Sequence, residues 1–143
     1  MPEWQSELVL DVSAGSRHTF IIDAEGKARV SGFIESLSSY RGHLGVPRAG
    51  LAEGPNAFTE VSEVVNSQGR STPAPRFQKA YAGAGAPGDA GAMHSVLLGE
   101  DGTVYTAGSN SQGQLCRGEE ILRGWRAVGL PEDVFREVPN LPG

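Results

Sequence analysis

The run Gly91-Ala92-Met93-His94-Ser95-Val96-Leu97-Leu98-Gly99-Glu100-Asp101-Gly102-Thr103-Val104-Tyr105-Thr106-Ala107-Gly108 decides the fold. Two short β-rich stretches, 95–99 and 103–107, flank Glu100-Asp101-Gly102. A tight turn needs a positive φ, which glycine adopts without a Cβ clash, so the run predicts an antiparallel hairpin. An earlier stretch has the same plan. Thr19-Phe20-Ile21-Ile22-Asp23 is followed by Glu25-Gly26 and then by Lys27-Ala28-Arg29-Val30-Ser31.

The two hairpins are copies. Gly15-Ser16-Arg17-His18-Thr19 is echoed by Gly91-Ala92-Met93-His94-Ser95, and the two histidines stand 76 residues apart. Gly26 recurs as Gly102 and Gly32 as Gly108 at that same spacing. Phe58-Thr59-Glu60-Val61 returns as Phe135-Arg136-Glu137-Val138 at a spacing of 77. Gly42-His43-Leu44-Gly45 answers Gly113-Gln114-Leu115-Cys116 at 71, so the first copy holds about five extra residues within 33–41. Several landmarks in one order and near-constant register mark an internal repeat.

Further strands are expected at 8–13, 58–64, 78–82 and 134–138, which makes about four strands per copy, the size of a propeller blade. Glycines interrupt nearly every long window and leave room only for short helical turns, within 49–65 and 119–126. The expected fold is therefore all-β, a partial propeller of about two blades, each a four-stranded antiparallel sheet, with loop insertions. The organisation expected is one repeat region over 1–143. A first motif spans 8–46, an insertion with a linking strand 47–76, and a second motif 77–118. Residues 119–143 form a C-terminal extension that begins a further strand, and 84–90 form a second, smaller insertion.

Composition agrees with a turn-rich chain. The 143 residues include 20 Gly, roughly twice the usual share, and 9 Pro without any G-X-Y period. The net charge is −5, from 12 basic and 17 acidic residues, with no basic run, which argues against binding nucleic acid through its phosphates. Cys116 is the one cysteine, so no internal disulfide and no cysteine-based zinc site can form. A lone thiol suits a reducing, intracellular compartment. No signal-peptide pattern and no apolar stretch of membrane-spanning length is visible.

The second copy resembles the repeat of the regulator of chromosome condensation family, which runs in outline G-x-x-H-S, an apolar strand, D-G-x-V-Y, G-x-N and G-Q-L-G. The matching residues are Gly91, His94 and Ser95, Asp101 to Tyr105, Gly108 and Asn110, and Gly113, Gln114 and Leu115, with Cys116 at the last glycine. The first copy keeps Gly15, His18, Gly26, Gly32, Leu44 and Gly45, while Gly32-Phe33-Ile34-Glu35 replaces the G-x-N segment. The resemblance covers about 90 residues. It implies a propeller that closes with seven blades, of which this chain supplies about two. It also implies structural roles for the motif. The histidines bond a neighbour's backbone and orient adjacent sheets, and Gln114-Leu115 supplies an amide and an apolar plug between blades.

The remaining candidates weigh toward structure. His18, His43 and His94 have no metal-ligand spacing, and no cofactor site is expected. Ser13, Ser16 and Ser95 lie near histidines, yet there is no G-x-S-x-G elbow and no Asp placed for a triad. Gly83-Ala84-Gly85-Ala86-Pro87-Gly88 lacks the Lys-Ser/Thr of a phosphate loop. Trp125 between Arg123 and Arg126 is a candidate partner contact, because Trp and Arg dominate interface hot spots. Gly124-Trp125-Arg126 shares three letters with a signature of plant ultraviolet-B photoreceptors in this family, but out of register. The function expected is a non-catalytic interaction or structural subunit held by other protein subunits. One alternative is part of a guanine-nucleotide exchange factor for a small GTPase. Another is an inhibitor or binding module for a secreted or organellar partner.

Overall fold

The computed structural model describes residues 8–15, 18–32, 45–46, 58–83, 94–108 and 134–138. Among these, every regular element is a strand. The first sheet has the order β1 (Val9–Ala14), β2 (His18–Asp23), β3 (Ala28–Gly32), β4 (Thr59–Glu60), antiparallel throughout. The second blade is β7 (Phe77–Ala82), β8 (His94–Gly99), β9 (Val104–Gly108) and β10 (Arg136–Glu137), again antiparallel. The described residues are all-β and form two antiparallel blades, as the sequence predicts.

The two blades repeat in register as well as in order. Asp23 pairs with Val9 and Gly99 with Phe77, and in both blades the ladder slips by one residue at the next position, a β-bulge. Glu60 lies opposite Arg29, and Glu137 lies opposite Tyr105. The hairpin turns are closed alike: Gly26 N donates to Asp23 O at 2.9 Å, and Gly102 N to Gly99 O at 3.0 Å. Gly26 (φ 83°) and Gly102 (φ 91°) hold the left-handed conformation that a side chain disfavours. First strands correspond at a spacing of 68, hairpins at 76. The difference of eight residues lies in the connection between β7 and β8.

One feature goes beyond the expected blade. The strand expected over 58–64 is broken at Val61-Ser62 into β4 and β5 (Glu63–Val65). With β6 (Ser71–Pro73), β5 forms a hairpin that extends the second sheet to six strands through a parallel pairing of β5 with β10. Val65 N donates to Phe135 O at 2.8 Å, and Ser67 N donates to the Glu137 carboxylate at 2.9 Å. The expected helical turn falls partly on 58–65, which is extended; its remainder and that at 119–126 lie outside the described residues.

The core lies between the sheets. Phe20, Ile22 and Val30 from the first blade meet Phe77, Ala80 and Leu97 from the second, all almost fully buried. Phe135 packs edge-on to Phe20 with ring centroids 5.9 Å apart, so the segment before β10 closes this core. Gly45 (φ 72°) lies directly against the Phe135 ring, in the space a side chain would fill. Each such aromatic or aliphatic side chain contributes on the order of 2 kcal/mol by leaving water.

Candidate functional site

The blade junction gathers most of the repeat's marked residues. On β1 and β2, alternation puts Asp11, Ser13, His18, Phe20 and Ile22 on the face toward the second blade. Asp11 Oδ2 accepts Ala80 N, and Ser13 Oγ accepts Ala82 N, each at 3.0 Å. These bonds satisfy outward amides on β7, the edge strand of its sheet, which would otherwise be left unpaired at a dry contact. Phe77 N donates to Gly26 O at 2.8 Å. Gly15 lies so close to Gly83 O and Ala82 that a Cβ there would collide with them.

His18 is the chemical centre of the junction. Its Nε2 lies 2.5 Å from Ser95 Oγ, and its ring meets Phe20 edge-on at 5.6 Å. The expectation of a backbone partner is thus supplemented by a side chain: the hydroxyl that follows His94 in the second copy. Burial pushes the His18 pKa down to about 4, a bond to the His94 backbone opposes this, and the charge of His94 adds to it. The imidazole is therefore neutral at pH 7. A histidine bonded to a serine is also the geometry of a nucleophile and its base. Here Ser95 has no exposed surface and His18 is 3% exposed, so substrate cannot reach them. The pair is a fastener.

The other described residues of the predicted set lie in turns and at strand ends. Asp101 Oδ1 accepts Thr103 N at 3.0 Å, which holds the Asp101 carboxyl below its ordinary pKa. Gly32 and Gly108 end β3 and β9, opposite His18 and His94. Leu44, Gly91, Asn110, Gly113, Gln114 and Leu115, and the contact triplet Arg123, Trp125 and Arg126, lie outside the described residues.

Sequence reasoning missed Asp23. It is 2% exposed and accepts Glu25 N at 2.9 Å, Lys27 N at 3.0 Å and Arg29 Nη1 at 2.8 Å. The second blade has Gly99 there, so the repeat carried no signal for this ion pair. Asp11 and Ser13 were missed as well, because Lys79 and Tyr81 hold the corresponding places. A cleft of 530 Å³ opens beside the turn at Glu25, bounded by Glu60, Pro73 and Arg76. Its charges are engaged along the rim, Lys27 with Glu25 at 3.5 Å and Arg76 with Glu100 at 3.4 Å. Among the described residues no three His, Cys, Asp or Glu cluster to hold a metal, and no helix is long and apolar enough to cross a membrane.

The repeat has a consequence at the two ends. Each outer face carries the positions that correspond to one half of the junction just described. On the first blade, Val9, Val12, Thr19 and Ile21 stand where Phe77, Ala80, Ser95 and Leu97 stand on the second. Val9 is 52% exposed and Val12 57%, whereas Phe77 and Ala80 are buried. On the second blade, His94, Val96 and Leu98 repeat His18, Phe20 and Ile22, but are only half-buried. The His94 Nδ1 is shielded from solvent with no partner among the described residues. A Cβ on Gly26 would meet Arg76, while one on Gly102 meets nothing within 4 Å.

Two antiparallel blades of one sequence motif, packed face to face, define a β-propeller repeat fold. Residues 89–114 match the Regulator of chromosome condensation (RCC1) repeat. Among solved structures the chain is similar to Prp20p from Saccharomyces cerevisiae, described with its binding to Gsp1p and histones. The identity is 18% and the TM-score 0.61, over 98% of this chain and 27% of that one. It is similar also to yeast RCC1 (Prp20) in its complex with Kap60, at 17% identity and TM-score 0.60, over 98% and 26%. Human WBSCR16 follows at 14% and 0.55, over 97% and 26%. Likeness at these identities establishes the fold. The chain spans about a quarter of the length of each of these chains. No curated protein matches it.

Proposed function

We propose that the chain is a non-catalytic interaction module whose two outer sheet faces each receive another protein surface. One observation carries this reading: both outer faces carry, position for position, the counterparts of a junction that is buried inside the chain. Val9 and Val12 are apolar and exposed where their counterparts form core. Repeats in a stacked array bury such faces against a neighbouring surface. The sealed His18–Ser95 pair supports a role without catalysis. The lone Cys116 supports an intracellular setting.

The test uses Val12→Arg and Leu98→Arg, one on each outer face, with co-purification from native cells and quantitative mass spectrometry. A defined set of proteins is expected with the natural chain and lost from the variant whose face it occupies. Retention of the same set by both variants, with the strand signal in circular dichroism intact, would overturn the reading. The exchange-factor alternative draws its support from the fold shared with Prp20p, whose structure was described with its binding to Gsp1p. Accelerated nucleotide release from a GTPase panel would favour that alternative.

A further inference from the structure

We draw no further inference here: the strongest candidate, the 530 Å³ cleft between the turn that joins β2 to β3 and the segment that joins β6 to β7, has its rim charges already paired, Lys27 with Glu25 and Arg76 with Glu100, and nothing in the structure shows what would fill it.

Discussion

Acidification reaches the blade junction through His18. Burial holds this imidazole neutral, with a pKa near 4 against an ordinary 6.5. The fold therefore favours the unprotonated ring, and its contribution is fully present above pH 6.5. Below that value the unfolded chain takes up a proton that the folded chain refuses, so stability falls as pH drops toward 4 and then levels off. One pH unit in this window is worth about 1.4 kcal/mol, so moving from pH 7.5 to pH 5 costs about 2 kcal/mol through this group. Urea unfolding followed by circular dichroism at both pH values measures the loss. His18→Gln supplies the control: its amide can still bond Ser95 but does not titrate. The variant is less stable at pH 7.5, yet its further loss on going to pH 5 is smaller than that of the natural chain by about 2 kcal/mol. His43, His94 and the carboxylates are common to both proteins and cancel in the difference. An equal loss in both would refute the assignment of a buried neutral histidine to the junction.

Three further outcomes follow from the geometry. Gly26→Ala costs about 2–4 kcal/mol, because positive-φ strain adds to a Cβ lying 2.7 Å from Arg76 Cβ; Gly102→Ala carries the strain alone and costs about 1 kcal/mol, both read from urea midpoints. Asp23→Asn leaves the Arg29 guanidinium without its buried carboxylate and lowers stability by about 3 kcal/mol in the same measurement. Asp11→Ala with Ser13→Ala removes the acceptors for Ala80 N and Ala82 N, costs about 1 kcal/mol for each bond, and speeds hydrogen exchange at those two amides ahead of the β8 amides.

The blade was legible because its signals are local. Gly26 and Gly102 announce hairpins, and a spacing of 76 between His18 and His94 announces the repeat. The parallel joining of β5 to β10 was not legible, since Val65 and Arg136 lie far apart in the chain and short strands carry little pattern. Nor was the Asp23–Arg29 pair, which only one copy possesses. The junction shows what a repeat reveals and what it hides. His18 and Ser95 occupy consecutive motif positions, which suggests a bond within one copy, yet strand alternation turns neighbours to opposite faces. The histidine must therefore look to the next blade for its hydroxyl. That same rule puts His94 and Thr19 on the two outer faces, so the motif that builds the fold also sets the chemistry of those faces.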